Sequence, residues 1–284
     1  MSHSRTDQRL GITLGIAASV SAAIVVLIGL FLLKESWPVL RRVGAWRFLL
    51  DGAWNPTEML YGLGPMVVGT LLTAALATLI AAPLGLGSAL FCRYLAPAPV
   101  ARVQRALVTL LAGVPSVVFG FWGLVALVPL IAMIEPPGAS LLAASLVLAL
   151  MILPTVALTV DAALGAVPQA YVQGAAALGL TREAMILNVV LPAARAGIGA
   201  GVLLALARAL GETMAVLMVA GNVVQVPSSL FDPIRTLTAN IALEMAYAAG
   251  DHRGSLFVSG LALTAIAAIL AVAAWRMTGG RAHG

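Results

Sequence analysis

The sequence has little charge. Only 10% of its 284 residues are Asp, Glu, Lys or Arg, and 61% are hydrophobic. An average soluble domain contains about 25% charged residues, so this chain cannot cover the surface of an ordinary soluble globule, and it is too apolar for a disordered chain. Aromatic residues are also few, at 6%, whereas Gly and Ala are abundant. Because small residues let membrane helices approach closely, the composition predicts an all-α membrane protein.

Residues that carry catalytic chemistry are scarce. The single cysteine, Cys92, excludes an intramolecular disulfide and a Cys-based zinc site. The single lysine, Lys34, lies outside any glycine-rich loop of the kind that P-loop ATP hydrolysis requires. The histidines His3, His252 and His283 lie outside the apolar runs, which excludes an H-E-x-x-H metalloprotease and an intramembrane Ser-His dyad. The sequence therefore predicts no metal site and favours a conduit or scaffold over an enzyme.

Six apolar runs are long enough to cross a bilayer, which takes about 20 residues. They lie near 11–33, 66–91, 106–134, 140–160, 198–221 and 255–275. The first run is longer than the roughly 7–15 residues of a signal-peptide core. No small-residue cleavage site follows it. We therefore expect it to remain as a membrane helix.

The basic residues indicate an orientation but no nucleic-acid partner. They are scattered at segment ends and form no dense stripe, although the formal net charge is +5. With the N-terminus in the cytosol, more Lys and Arg residues lie on the cytosolic side than outside, as the positive-inside rule requires. The outside set is Lys34, Arg41, Arg42, Arg47, Arg235 and Arg253. The bias is modest and favours cytosolic N- and C-termini.

The segment 161–197 differs from the apolar runs that flank it. It is too polar to span a membrane, and its pattern is helical. A first helix is predicted to end at Gly179, which suits a left-handed C-cap, and a second to begin at Thr181, which suits an N-cap. Such an elbow is suited to docking a partner, which we favour, and the alternative of a connecting hairpin that lies on the membrane stays open from the residues alone.

The fifth run contains two charged residues, Arg208 and Glu212. A charge in the middle of a membrane helix costs about 2.5–3.5 kcal/mol on insertion scales. Their i, i+4 spacing predicts that both lie on one helix face and form an ion pair. Such a pair serves either to fix helix packing or to line a solute pathway. In a pathway, the planar donor fork of arginine points to an anionic solute.

The segment 173–192, QGAAALGLTREAMILNVVLP, resembles the EAA loop of ABC importer permeases. Gln173, Gly174 and Ala175 stand at the EAA triplet, with Gln for Glu and Gly for Ala as departures. Gly179 stands at the loop glycine and Pro192 at the closing Leu-Pro. The resemblance implies that this loop couples the chain to an ATPase through Gln173, Gly174, Ala175, Leu178, Gly179 and Pro192.

Further segments resemble the phosphate importer permeases of the PstC type. They are AGVPSVVFGFWG at 112–123, LMILPTV at 150–156 and RALGETMAVLMVAGN at 208–222. The likeness extends from about residue 50 to 275 and implies six transmembrane helices in a type I ABC importer permease fold with a MetI-like core. It divides the chain into an N-terminal tail, first helix and external loop (1–65), a permease domain (66–275) and a cytosolic tail (276–284). It also implies that Arg208, Glu212 and Thr213 line the substrate pathway.

The same resemblance implies an assembly in a bacterial plasma membrane. Its other members are a PstA-like second permease, two copies of a PstB-like ATPase, which bind ATP and Mg, and a PstS-like external phosphate-binding protein. This chain itself is expected to hold no cofactor. Two alternatives stay open from the residues: a permease for another oxyanion, such as molybdate or sulfate, and an intramembrane enzyme that uses Glu212 or Asp161.

Overall fold

The computed structural model describes residues 5–279, with side chains described for residues 10–273 and 276. His3 and His283 lie outside the described residues. The predicted tail 276–284 is described only to Gly279, where the last helix ends. His252, which precedes the last apolar run, lies in the first turn of that helix.

Helices make up most of the described chain, which confirms the all-α prediction. In chain order they are α1 Arg5–Val43, α2 Ala45–Leu50, α3 Gly64–Leu90, α4 Ala98–Ala112, α5 Ser116–Trp122, α6 Val128–Ala132, α7 Leu141–Gly165, α8 Gln169–Ala177, α9 Arg182–Met185, α10 Leu191–Leu210, α11 Met214–Val219, α12 Leu237–Glu244 and α13 Gly250–Gly279. Wider π-helical turns at Phe91–Leu95, Gly123–Leu127 and Ile186–Val190 extend or join neighbouring helices. A small antiparallel hairpin pairs β1 Trp54–Asn55 with β2 Leu60–Tyr61.

Five helical segments of the described chain are long and apolar enough to cross a membrane, and a bent helix pair gives a sixth candidate. The five are Leu10–Val43, Gly64–Leu95, Leu141–Gly165, Arg182–Leu210 and Gly250–Ala273. The first continues ten residues beyond its predicted end at 33, through Pro38, and stops before Gly44, whose φ of 89° is incompatible with a helix.

The third predicted span, 106–134, is not one continuous helix. The chain bends by 95° between α4 and the helices that begin at Ser116. Pro115 has no N–H to donate, and it disfavours helical backbone at Val114. Pro115 itself adopts an extended ψ of 140° before α5 begins.

The fifth predicted span, 198–221, is also wrong in its bounds. The spanning helix runs from Arg182 to Leu210, and a separate short helix, α11, begins at Met214. Gly211 is a poor helix former. The side chain of Glu212 accepts a hydrogen bond from the Ala215 N–H at 3.1 Å, which starts the new helix.

Helix α7 is the centre of the main core. Its most apolar stretch is 67% buried, and it packs against α3, α4, α5, α10 and α11. Close packing depends on small residues: a methyl group added at Gly85 of α3 would lie 2.7 Å from the side chain of Val156.

A second core cluster joins α1, α2, the hairpin, α3, α12 and α13 through Val39, Phe48, Tyr61, Leu63, Met66, Leu237 and Val258.

Candidate functional site

The face that α10 turns toward α7 consists of small residues. Gly197, Gly201 and Ala205 recur every fourth position, so they lie on one face of the helix. A methyl group added at Gly197 would lie 2.6 Å from the Ala163 Cβ, and one at Gly201 would lie 2.4 Å from the Thr159 Oγ1. This spacing of small residues lets membrane helices pack backbone to backbone. The two helices therefore run against each other with little room for movement.

Arg208 continues this face to the end of α10. It follows Gly201 by seven residues, which is two helical turns, so its side chain also reaches toward α7. Its Nη1 donates a hydrogen bond to the Thr155 Oγ1 at 3.3 Å, and the side chain remains exposed in the single chain. Thr155 lies ten residues before the end of α7 at Gly165. That distance is about 15 Å along the helix, half of the roughly 30 Å hydrocarbon core.

The predicted ion pair between Arg208 and Glu212 is wrong. In the described structure Glu212 lies beyond the end of α10, and its carboxylate caps the first turn of α11 through the Ala215 N–H. The two residues are not one helical turn apart because the helix that would align them stops at Leu210. A carboxylate at a helix N-terminus is favourable. Thr213, the third predicted pathway residue, lies in the break and donates its hydroxyl to the Gly211 carbonyl at 3.4 Å.

The two interrupted spans meet beside this site. Helix α5, which begins after the bend at 113–115, packs directly on α11, which begins after the break at 211–213. A methyl group added at Gly120 would lie 2.7 Å from the Ala215 Cα, so only glycine permits this approach. Both segments carry sequence motifs, but no pattern in the sequence predicts that they touch. Discontinuous helices near the midplane are typical of transporter binding sites.

The elbow has the predicted local structure. Helix α8 ends at Ala177, Gly179 adopts a φ of 72°, and the Thr181 hydroxyl accepts a hydrogen bond from the Ala184 N–H at 3.3 Å. The left-handed glycine and the N-cap are therefore confirmed. Of the predicted coupling residues, Gln173, Gly174, Leu178 and Gly179 are exposed here and Ala175 is buried. Pro192, the sixth predicted coupling residue, is also exposed but lies outside the elbow, in the first turn of α10 beyond the π-helical turn at Ile186–Val190.

Asp161 is held by two arginines. Its carboxylate lies 3.0 Å from the Arg93 Nε and 3.3 Å from the Arg105 Nε. Arg93 also donates to the Asp161 carbonyl at 3.0 Å. These contacts tie the end of the second span and α4 to α7. Both carboxylate oxygens are occupied by structural partners, which disfavours the role of an enzymatic acid or base.

A polar cluster around Glu244 was missed in the sequence. The Glu244 carboxylate, 7% exposed, accepts hydrogen bonds from the Trp54 Nε1 at 2.9 Å and the Arg235 Nη1 at 2.7 Å. The His252 Nε2 lies 2.8 Å from the same carboxylate. These residues join the hairpin, the loop before α12, the end of α12 and the first turn of α13. They are distant in the chain and follow no recognisable spacing, so no sequence pattern could have identified the cluster.

The loop between α11 and α12 caps α7. The backbone carbonyls of Asp232 and Leu230 accept hydrogen bonds from the N–H groups of Leu141 and Leu142 at 2.9 and 2.8 Å. The Asp232 carboxylate in turn accepts hydrogen bonds from the N–H groups of Ser229 and Ser228 and from the Ser228 hydroxyl. These bonds stabilise the charged form and lower the pKa of Asp232 below its ordinary value. The Asp232 carboxylate therefore stays charged, and keeps its hydrogen bonds to Ser228 and Ser229, at neutral and mildly acidic pH.

A family model of binding-protein-dependent transport system inner membrane components matches residues 81–278. A phosphate transport system permease protein PstC of Mesorhizobium japonicum is 38% identical over 97% of this chain and 93% of its own length. The PstC of Haemophilus influenzae is 35% identical over 84% of this chain and 82% of its own length. A probable ABC transporter permease protein, YqgH of Bacillus subtilis, is 41% identical over 82% of this chain and 75% of its own length.

Solved structures support the predicted architecture. A chain of the inward-facing MetNI methionine ABC transporter superposes with a TM-score of 0.63, covering 79% of this chain and 98% of that chain. The sequence identity in this superposition is 19%, so the likeness concerns the fold alone. It confirms the expected MetI-like arrangement of the spanning helices.

Proposed function

This chain belongs to the family of binding-protein-dependent transport system inner membrane components, and on that premise we propose that it is a permease subunit of an ATP-driven inorganic phosphate importer. It is a multi-pass membrane protein, and relatives named as PstC phosphate permeases align with most of its length. The observation that carries the proposal is Arg208, whose guanidinium donates to Thr155 in the interior of the spanning helix α7 and whose side chain is exposed.

The position of Glu212 supports an anionic solute. Its carboxylate is held by the Ala215 N–H of α11 and does not pair with Arg208 in the described chain. The guanidinium therefore keeps its positive charge available. Because arginine stays protonated and presents parallel donors, it suits the oxygens of a phosphate ion better than a lysine would. A second permease, PstA-like, would cover the exposed side of this site and complete the path.

The predicted ATPase contact is the elbow segment 161–195, and residues 166–181, which lie between the end of α7 and the start of α9, are the part of it that we propose makes the contact. Leu178 is 84% exposed and Tyr171 55% exposed, beside the left-handed Gly179. A docked ATPase would cover these two side chains. Because the sequence has no P-loop, ATP and Mg would be bound by two copies of a PstB-like ATPase. A PstS-like binding protein would deliver phosphate on the opposite face, and both termini would be cytosolic.

The test of this function is phosphate uptake by the complete assembly in membrane vesicles, comparing Arg208→Gln with Arg195→Gln. Both changes remove one positive charge from an exposed position of α10. We expect Arg208→Gln to lose at least about tenfold in uptake rate, since hydrogen bonds to charged groups are worth about 1.5–3 kcal/mol. Arg195→Gln should stay within about twofold of the parent, because side chains outside the pathway contribute little.

Two results would count against the proposal. Normal phosphate uptake by Arg208→Gln at equal membrane abundance would remove the pathway role of this arginine. Uptake of labelled phosphate that is competed equally by sulfate or molybdate would assign the chain to an importer of another oxyanion instead.

A further inference from the structure

Thr155 differs from most threonines in the described helices, and another exception is Thr238 of α12, whose hydroxyl donates to the distant Glu212 carbonyl. Within the described helices, Thr13, Thr70, Thr73, Thr78, Thr109, Thr159 and Thr264 each donate the hydroxyl to a backbone carbonyl three or four residues earlier. The Thr155 hydroxyl makes no such bond in the described structure. Its oxygen instead accepts a hydrogen bond from Arg208 on the neighbouring helix. Because a hydroxyl offers one donor and two acceptor positions, its hydrogen remains available for another partner.

Only one side of the Arg208 guanidinium makes a hydrogen bond within the described chain. Its Nη1 is engaged with Thr155, and within the described chain its Nε and Nη2 have no hydrogen-bond partner. These two nitrogens carry parallel N–H groups that match two oxygens of a carboxylate or phosphate. The Thr155 contact therefore fixes the rotation of the guanidinium and leaves its bidentate edge free.

We propose that Thr155 is a positioning residue: its contact with Nη1 holds the Arg208 guanidinium so that the opposite edge, Nε and Nη2, is presented to a tetrahedral oxyanion. The inference rests on the proposed function, since it names a further residue of the same pathway. Thr155 acts through Arg208, because its hydroxyl lies on the side of the guanidinium away from the free edge. A guanidinium that rotates freely attracts any anion, whereas a fixed bidentate edge favours an ion with two suitably spaced oxygens over chloride.

The experiment compares Thr155→Val, Thr155→Ser and Thr155→Ala in the complete assembly, with Thr159→Val as the matched control. Thr159 lies one turn further on the same helix, and its hydroxyl bonds only to its own backbone, at 2.7 Å from the Thr155 carbonyl and 3.1 Å from the Val156 carbonyl. Initial phosphate uptake, membrane abundance and chloride competition are measured for each variant. We expect Thr155→Val to lose about tenfold in uptake, the scale of one charge-assisted hydrogen bond. Thr155→Ser should keep more than about half of parental uptake, and Thr159→Val should match the parent.

Each outcome decides the proposal. Parental uptake by Thr155→Val overturns it, and so does a loss in Thr155→Ser as large as that in Thr155→Val, because packing and not the hydroxyl would then matter. If Thr155→Val does not accumulate in the membrane, the Ala and Ser variants, which differ only by the hydroxyl, replace it, and equal uptake by the two overturns the proposal. The proposed function is tested separately. Loss of uptake in Arg208→Gln with normal uptake in Thr155→Val rejects the positioning role of Thr155 alone, whereas normal uptake in Arg208→Gln rejects the pathway role of Arg208 itself.

Discussion

At the scale of single residues, the structure separates two charges that lie close in the chain. Arg208 faces α7 and bonds to Thr155, whereas Glu212 caps α11. The Glu212 carbonyl also accepts a hydrogen bond from the Thr238 hydroxyl at 2.8 Å, which joins the break at 211–213 to the first turn of α12. The other end of α12 carries Glu244. One short helix thus connects the interrupted span to the cluster beneath the hairpin.

The Glu244 cluster should matter for stability. Glu244→Gln removes the charge that faces Arg235 and His252 while keeping nearly the same volume. Removing one partner of a buried ion pair costs about 3–5 kcal/mol. For a loss of about 3 kcal/mol in the free energy of unfolding, we expect the melting temperature of the detergent-purified chain to fall by about 6–12 °C. Thermal unfolding followed by circular dichroism measures this change.

Asp251→Asn is the matched control for this prediction. It also removes one carboxylate from an ion pair near the start of α13, but its partner Arg42 is 66% exposed. An exposed pair is worth about 0–1 kcal/mol, so the melting temperature should change little. Equal melting temperatures for the two variants would show that the buried cluster contributes no more than a surface pair.

At the scale of elements, Gly179 is predicted to be required for its backbone conformation. Its φ of 72° strains a residue with a side chain, and no neighbouring atom lies within 4 Å of an added methyl group. Gly179→Val should therefore stop uptake through a displaced elbow while the chain still inserts, and the assembly should hydrolyse ATP without transport. Gly179→Asn should retain most uptake because asparagine tolerates left-handed backbone.

Gly174→Ala serves as the control for the elbow. Gly174 is helical and also has open space around it, so an added methyl group causes neither strain nor a clash. Uptake and ATP hydrolysis should both stay near the parent. Loss of transport in Gly179→Asn as complete as in Gly179→Val would contradict the conformational explanation and point to a direct contact at the glycine.

The elements that could be predicted from the sequence are those whose signals are local. Hydropathy predicts the second and fourth spans closely, and the capping residues Gly179 and Thr181 predict the elbow. The interruptions at 113–115 and 211–213 could not be predicted, because apolar residues flank them and a hydropathy window averages across a break. Proline is not a sufficient signal either, since Pro83 and Pro154 lie inside unbroken helices whereas Pro115 lies at a bend.

The site was only partly predictable for the same reason. Arg208 is recognisable as a charge in an apolar run, but its partner Thr155 lies 53 positions away. That contact depends on the antiparallel packing of α7 and α10 through Gly197 and Gly201. The Glu244 cluster likewise depends on four segments that meet only in the folded chain. Spacing rules describe one helix at a time and so cannot identify contacts between helices.

At the scale of the whole molecule, the number of crossings decides on which side the elbow lies. Between the hairpin and the elbow the chain contains the span Gly64–Leu95, the bent pair α4 to α6, and the span Leu141–Gly165. If the bent pair crosses the membrane, the hairpin and the elbow are separated by three crossings and lie on opposite faces. If it turns back within the membrane, only two crossings separate them, and they lie on the same face.

Single-cysteine labelling distinguishes these cases. The native Cys92 is replaced by serine, and Met59→Cys or Leu178→Cys is introduced, since these side chains are 67% and 84% exposed. The full chain is expressed without the ATPase, which would otherwise cover the elbow. We expect a membrane-impermeant maleimide to label Met59→Cys in intact spheroplasts and Leu178→Cys only after the membrane is opened, because three crossings and the distribution of basic residues both put the elbow in the cytosol. Labelling of both in intact spheroplasts would mean that the bent pair does not cross, and labelling of Leu178→Cys alone would invert the orientation and place the elbow where no ATPase could reach it.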